Sequence, residues 1–395
     1  MKNIHQSDRI YFTNLNALRF LAAFLVIIHH IEQLKSIFSL DNLWNKTSFL
    51  STLVRFVGPQ GVILFFVLSG FLITNLLLVE EDKTGGVDVS KFYVRRVLRI
   101  WPLYFLIVIL AVFVIPYIQY FEWPGFSLER VQSNLWGKLS LYLFFFANLV
   151  LSQFGIIPYA SQTWSVGTEE QFYLVWPLVI RFVKKNRMLL FVSVYVGYNT
   201  IKLLLHSGLL VSLPHIGLFK SFWSGFAIDN MAIGAFFAYC LFKGGNLAQF
   251  WLSKWVLPLS IFLFVACFYF SPHFFHLRKI YPFVYGILVL NLVANKSLKG
   301  LFEIQPFKYL GKISYGLYMY HPIAITIAIK SSIFFPTITN LYIYIVSITL
   351  SICVASLSYH YFESWFLKFK DKFAVIKSGE PIKNENTIQP TISYR

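Results

Sequence analysis

The chain has 395 residues, of which 57% are hydrophobic and only 13% are charged, and its formal net charge is +17. Apolar stretches of membrane length recur from end to end, which excludes a large soluble domain and predicts an integral helical membrane protein. The basic residues cluster in short loops between these stretches, a pattern typical of cytoplasmic loops and not of a nucleic-acid surface. The three cysteines, Cys240, Cys267 and Cys353, lie in apolar segments without paired spacing, so neither a metal site nor a disulfide framework is predicted.

The first apolar stretch, from about Leu15 to Ile31, contains two ionisable residues, Arg19 and His30. An ionisable group at membrane depth costs roughly 2.5 to 3.5 kcal/mol and is seldom retained without a use. Eleven residues at 100° each return to about the same helix face, and at 1.5 Å per residue the two side chains are roughly 16 Å apart in depth. Two interpretations stay open: the residues serve two ends of one polar cavity, or each reaches its own membrane interface.

Charge parity decides which apolar segments cross the membrane. The third segment ends on the outer side of the membrane, whereas the basic residues between 181 and 187 belong to a cytoplasmic loop. The chain must therefore cross the membrane an odd number of times between these two points, yet two candidate segments, 139–153 and 166–183, lie there. The weaker one, 139–153, is short and contains Asn148, and we interpret it as re-entrant or interfacial. We therefore predict an all-α polytopic protein with about ten transmembrane helices and both termini in the cytoplasm. The eleven candidates lie at about 15–34, 59–79, 100–118, 139–153, 166–183, 188–206, 222–242, 255–271, 279–295, 313–335 and 341–366.

This topology divides the chain into three parts. Residues 1–13 form a cytoplasmic N-terminal segment, residues 14–366 form the transmembrane core, and residues 367–395 form a polar cytoplasmic tail. We expect the tail to be disordered, because it is polar from about Asp371 onward and cannot bury enough apolar surface.

In the second span, Ser69 and Gly70 fall near mid-membrane. Small residues there allow close helix packing, which is our interpretation of Gly70. A nucleophilic Ser69 is less favoured, because no base is adjacent in sequence.

Three arginines, Arg95, Arg96 and Arg99, precede the third span on the cytoplasmic side. Guanidinium groups bind phosphate oxygens bidentately, so this cluster suits a polyphosphate ligand. Ordinary topology and lipid contact give the alternative interpretation, and charge alone does not separate the two.

The fifth span begins near Glu169, which shares a helix face with Phe172 and Tyr173 at positions i, i+3 and i+4. Glu170 points about 100° away, toward lipid headgroups. A first-turn acid that satisfies the helix N-terminus is the alternative for Glu169.

The predicted topology sorts the intramembrane polar residues into two layers. His30, Glu169 and Asp229 of the seventh span form an outer layer, and the arginines before the third span form an inner, basic layer.

The ninth crossing begins with a polar stripe of Ser314, Tyr318 and His321 at positions i, i+4 and i+7. Pro322 removes a ladder hydrogen bond beside His321 and is expected to bend the helix. The alternative is a structural histidine that is hydrogen-bonded to the carbonyl that the proline leaves free.

Taken together, these segments resemble the acyltransferase 3 family of bacterial membrane O-acyltransferases over nearly the whole chain, from about Asn14 to Phe366. One departure is Trp-Ser-Val-Gly-Thr-Glu where the family usually has Trp-Ser-Leu-Ser-Val-Glu, which keeps Glu169 but changes its neighbours. The chain also ends shortly after its last span, so we expect a stand-alone core without a fused esterase-like domain. The matching motifs occur in the family's order: Arg19 to His30, Phe65 to Phe71, Arg99 to Tyr104, Trp164 to Tyr173, Ile313 to His321 and Tyr361 to Glu363.

The resemblance implies transfer of an acyl group, often acetyl from acetyl-CoA, to a hydroxyl of an extracytoplasmic glycan. It also implies a bacterial cytoplasmic membrane protein, with acyl-CoA as co-substrate and no permanently bound cofactor or metal. Our hypothesis makes His30 the general base, with Glu169 or Asp229 orienting its other nitrogen or aligning the sugar. Arg19 then stabilises the acyl donor along the cavity.

The remaining candidates concern the donor. Arg95, Arg96 and Arg99 offer a cytoplasmic site for the phosphates of CoA, and Tyr318 or His321 lines the path to the thioester. Ser69, Asp229, Tyr173 and Ser314 are substrate-binding or structural candidates. The acceptor, the acyl chain and the oligomeric state are left open.

Two other classes of function remain as alternatives. A transporter or flippase for a lipid-linked glycan would also line its pathway with membrane His, Arg and Glu, although no convincing inverted repeat is present. A non-catalytic relative that only binds a membrane partner is the third possibility.

Overall fold

The computed structural model describes residues 9–210, 212–270, 279–298, 300–373, 376–378 and 387–388. These residues are predominantly helical, which confirms the predicted all-α class. The α-helices are α1 (Leu15–Ile37), α2 (Phe49–Thr84), α3 (Val89–Ile109), α4 (Leu128–Gln132), α5 (Leu135–Leu143), α6 (Ala147–Phe154), α7 (Thr163–Phe182), α8 (Arg187–His206), α9 (Ile216–Phe226), α10 (Ile228–Lys243), α11 (Gly245–Trp251), α12 (Val256–Phe270), α13 (Tyr281–Ala294), α14 (Gln305–Lys312), α15 (Ser314–Ser331), α16 (Thr339–Ser358) and α17 (Ser364–Lys370).

Within the described residues, six helical runs are long and apolar enough to cross a membrane, and the pair α11 and α12, bent by 49°, makes a seventh if it counts as one span. The six are α1, α2, α3 with its extension to Tyr117, α8, α9 with α10, and α16 with α17. Helices α7, α13 and α15 coincide with three further predicted crossings, but α7 and α15 carry polar residues and α13 has only 14 residues. The number of ten crossings and the side of the termini stay predictions.

The segment 139–153 does not form one continuous helix. It is divided between α5 and α6, which have 9 and 8 residues and are separated by a left-handed Phe145 with φ of 61°. At 1.5 Å per residue each helix is roughly 12 to 14 Å long, far shorter than the bilayer core of about 30 Å. A single straight crossing is excluded for this segment, and its re-entrant or interfacial position stays a prediction.

Close packing of α2 against α10 depends on two glycines. A Cβ atom at Gly70 would lie 2.0 Å from the Met231 carbonyl oxygen, and one at Gly234 would lie 2.1 Å from the Val67 carbonyl oxygen. No side chain fits at those distances, so the two backbones touch at both glycines. The interpretation of Gly70 as a packing residue is confirmed.

Glycines also hold α1 against α2. A Cβ atom at Gly58 would lie 2.2 Å from the His29 ring, and one at Gly61 would lie 2.5 Å from the Ala22 carbonyl oxygen. Because the contacts run in opposite directions along the two helices, the later part of α2, with Ser69, faces the early part of α1, with Arg19.

The chain ends meet in a small parallel sheet. Strand β1 (Arg9–Ile10) lies between β2 (Lys377–Ser378) and β3 (Thr387–Ile388), with Ile10 opposite Ser378 and Ile388. Ile376 is buried in the same apolar cluster as Ile10 and Phe12. The expected disorder of the tail therefore does not apply to these short stretches, because an apolar anchor holds them, and most of the tail lies outside the described residues.

Candidate functional site

A cavity of about 170 Å³ lies where β1, α1, α2, α3, α7 and α15 meet. Its apolar wall includes Phe65, Leu68, Ile73 and Ile100. Most of the polar residues singled out from the sequence converge on it, although they come from five different helices. The polar residues of the wall are Tyr11, Asn16, Arg19, Ser69, Arg96, Arg99, Ser165, Glu169, Tyr173, Ser314, Tyr315 and Tyr318.

Three arginines give the cavity its charge. Arg19, Arg96 and Arg99 line the wall, and within the described residues none of them forms an ion pair. The Arg96 guanidinium lies over the rings of Phe92 and Tyr173, at 5.3 and 5.4 Å, and its buried Nε has no hydrogen-bond partner among the described residues. Cations held in this way without a carboxylate partner favour an anionic ligand.

Arg95 is not part of this cavity. Its guanidinium forms an ion pair with Glu80 at 3.2 Å and donates to the Phe373 carbonyl oxygen at 2.9 Å. The Glu80 side chain is only 2% exposed, and a buried carboxylate without a cation is strongly destabilising. The grouping of Arg95 with Arg96 and Arg99 at one ligand site was wrong, because Arg95 compensates Glu80 instead.

Glu169 lies in the cavity within a compact hydrogen-bonded cluster. Ser69 Oγ donates to Glu169 Oε1 at 2.7 Å, and the Tyr173 hydroxyl donates to Glu169 Oε2 at 3.1 Å. Both carboxylate oxygens are thereby held in place. The helical spacing of Glu169 and Tyr173 predicted their contact, whereas the partner Ser69, 100 residues earlier in the chain, carries no sequence signal for it.

The prediction of an outer layer that joins Glu169 to His30 was wrong, because Glu169 shares the cavity with Arg96 and Arg99. The expected exposure of Glu170 to lipid headgroups was also wrong. Glu170 is 9% exposed and accepts a hydrogen bond from Trp101 Nε1 at 2.8 Å, because α3 packs against this side of α7.

His30 meets two other histidines. Its ring centroid is 4.8 Å from that of His321 and 5.2 Å from that of His29. The Nδ1 atom of His30 is 2.9 Å from the Val26 carbonyl oxygen. Because a carbonyl oxygen only accepts hydrogen bonds, Nδ1 carries the hydrogen and Nε2 carries the lone pair that a general base needs.

His321 has the same tautomer for a related reason. Its Nδ1 donates to the Tyr318 carbonyl oxygen at 2.7 Å, which is the carbonyl that Pro322 leaves free. The alternative interpretation, a structural histidine that is hydrogen-bonded to the freed carbonyl, is therefore confirmed for the Nδ1 side of the His321 ring. The fully buried Nε2 has no hydrogen-bond partner among the described residues.

Tyr318 separates the cavity from the histidine pair. Its hydroxyl donates to the Gln162 carbonyl oxygen at 2.9 Å and accepts from Ser165 Oγ at 2.7 Å. Its ring is 5.7 Å from the Phe65 ring on the cavity wall and 5.8 Å from the His321 ring. His321 therefore lies directly behind the wall of the cavity, and His30 lies beyond it.

Asp229, the other carboxylate expected near His30, lies at a different place. It forms an ion pair with Lys279 at 2.9 Å, and Asn199 Nδ2 is 3.5 Å away. The expectation that Glu169 or Asp229 orients the second nitrogen of His30 was wrong, because the Val26 carbonyl, one turn earlier on the same helix, orients that ring.

The fold and the site together define a polytopic helical membrane protein in which a cationic cavity adjoins a pair of histidines, one half-buried and one fully buried. A family model described as an acyltransferase domain matches residues 12–360. The chain therefore belongs to the acyltransferase 3 family, which confirms the resemblance carried by the sequence motifs.

Three curated relatives are O-acetyltransferases by name, and two of these names specify peptidoglycan. The peptidoglycan O-acetyltransferase OatA of Listeria monocytogenes is 26% identical over 97% of this chain and 61% of its own length. The O-acetyltransferase OatA of Staphylococcus aureus is 27% identical over 90% of this chain and 57% of its own length. The putative peptidoglycan O-acetyltransferase YrhL of Bacillus subtilis is 26% identical over 89% of this chain and 54% of its own length. The chain thus spans little more than half the length of these relatives, and no solved structure matches it.

Proposed function

We propose that this protein is a membrane O-acyltransferase that moves an acyl group, with acetyl as the first candidate, from acyl-CoA to a hydroxyl of a cell-wall glycan. The observation that carries the proposal is the cavity in which Arg19, Arg96 and Arg99 lie without an ion pair among the described residues and whose wall includes Tyr318, next to His321 of the histidine pair. Family membership and the names of the three relatives support the acyl-transfer chemistry and the glycan acceptor.

The donor end of the proposal rests on charge and length. CoA is a multiply phosphorylated anion, and arginines bind phosphate oxygens strongly. Arg19 and His30 are roughly 16 Å apart along α1 at 1.5 Å per residue. The pantetheine arm of CoA is a flexible chain long enough to cover such a distance, so phosphates at the arginines and a thioester near the histidines are compatible.

The acceptor end of the proposal uses His30 as general base. In the proposed step the acceptor hydroxyl oxygen attacks the thioester carbonyl carbon and gives its proton to His30 Nε2. The carbon–sulfur bond then breaks, and the thiolate of CoA leaves and receives that proton. The half-buried position of His30 keeps its ring within reach of an acceptor, whereas His321 behind it is fully buried.

The test compares surface glycans by mass spectrometry in cells that carry the wild-type gene, a deletion, His30→Ala or the control His206→Ala at equal expression. His206 is an exposed histidine at the end of α8, so its variant keeps glycan acylation. A positioned general base contributes about 10²- to 10⁴-fold in rate, so the deletion and His30→Ala should both lose the acyl mass. If the deletion strain keeps its glycan acylation and accumulates lipid-linked glycan inside the cell, the transferase proposal is wrong and the flippase alternative is favoured.

A further inference from the structure

One buried atom near the proposed reaction site has an unmet hydrogen-bonding capacity. His321 is 0% exposed, its Nδ1–H is used by the Tyr318 carbonyl, and its Nε2 lone pair has no partner in the described part of the chain. Buried polar atoms in native folds are nearly always hydrogen-bonded, so an exception at this depth needs a physical explanation. The bilayer makes the need greater, because no bulk water is available there.

The position of this atom suggests the explanation. The ring of His321 contacts two rings: that of Tyr318 on the cavity wall, at 5.8 Å, and that of His30, the proposed base, at 4.8 Å. A substrate that extends from the arginines toward His30 would therefore pass close to His321. The residue with the unpaired nitrogen thus adjoins both the cavity wall and the proposed base.

We infer that His321 is a second substrate-contacting residue, whose Nε2 accepts a hydrogen bond from an O–H or N–H group of a substrate during acyl transfer. This inference rests on the proposed function. Two sources supply such a group: the hydroxyl of the glycan acceptor, arriving from the side of His30, and the amide N–H of the pantetheine arm, arriving from the cavity. Because His321 is fully buried, contact with either group requires the ring of Tyr318 or of His30 to move aside.

Two substitutions separate this role from a purely structural one. In His321→Asn the amide nitrogen takes the position of Nδ1 and keeps the bond to the Tyr318 carbonyl, but no atom replaces Nε2. In His321→Gln the amide reaches the Nε2 position and offers an acceptor oxygen there, but the Nδ1 position is empty. A substrate contact at Nε2 therefore predicts an impaired Asn variant and a more active Gln variant, whereas a structural role predicts the reverse order.

The assay uses purified protein in lipid vesicles with acetyl-CoA and a cell-wall glycan oligomer, after size-exclusion chromatography has shown that each variant is folded. Loss of a hydrogen bond to a buried partner predicts a fall in kcat/KM of about 10- to 100-fold for His321→Asn. The matched control is His206→Asn, because the exposed His206 also places Nδ1 on a carbonyl, that of Lys202 at 2.8 Å, and should keep its activity.

The two Michaelis constants identify the source of the hydrogen. A KM for the glycan that rises in His321→Asn assigns the bond to the acceptor hydroxyl, and a KM for acetyl-CoA that rises assigns it to the pantetheine amide. Wild-type kinetics in a folded Asn variant would overturn the inference and leave the proposed function intact. Absence of transfer by the wild-type protein under all conditions would instead count against the proposed function.

Discussion

The arginines of the cavity give the sharpest prediction, because α3 carries Arg96 and Arg99 on the cavity wall and Arg95, one turn before Arg99, outside it. Arg99 lines the cavity without an ion pair, and Arg95 is paired with Glu80. If Arg99 binds a phosphate of the donor, Arg99→Gln removes a charge-assisted hydrogen bond worth about 1.5 to 3 kcal/mol. At about 1.4 kcal/mol per tenfold, the KM for acetyl-CoA should rise about 10- to 150-fold.

The assay measures initial rates with two donors, acetyl-CoA and S-acetyl-pantetheine, the second of which has the same thioester arm but no phosphates. Arg99→Gln should raise the KM for acetyl-CoA and leave that for S-acetyl-pantetheine unchanged. The control Arg95→Gln should leave both KM values unchanged and lower the thermal stability, because Glu80 loses its cation. An equal loss with both donors in Arg99→Gln would refute the phosphate-binding role.

Two further predictions concern packing and the carboxylate cluster. Gly70→Ala should lower the free energy of unfolding by about 1 to 3 kcal/mol or more, because its Cβ would meet the Met231 carbonyl. The control Gly197→Ala, on α8, has open space around the new methyl group and should not lower it. Equal thermal denaturation midpoints for the two variants would contradict this prediction. Glu169→Gln should lower the initial rate of acetyl transfer at least about tenfold, because its amide nitrogen cannot accept the hydrogen bond that Ser69 or Tyr173 donates. Glu170→Gln keeps an oxygen for Trp101 and should retain activity; equal loss in both variants would exclude a specific role for Glu169.

The sequence by itself determined the properties that depend on one helix at a time. Apolar length and loop charge gave the membrane class, and the helical period placed Tyr173 beside Glu169. The glycine beside Ser69 correctly indicated a close helix contact, because a missing side chain is itself a local signal. These properties are local because the hydrogen-bond ladder of a helix fixes the direction of each side chain relative to its neighbours.

Only the tertiary structure decided which helix faces meet. Three contacts join parts of the chain that are far apart in sequence: His30 with His321, Ser69 with Glu169, and Asp229 with Lys279. Arg95 and Arg99 show the same limit within one helix: their spacing suggests a shared role, yet the buried carboxylate of Glu80 binds the first and leaves the second to the cavity. The physical reason is that a buried charged group forms an ion pair with whichever opposite charge the packing places beside it, and the packing depends on all helices together.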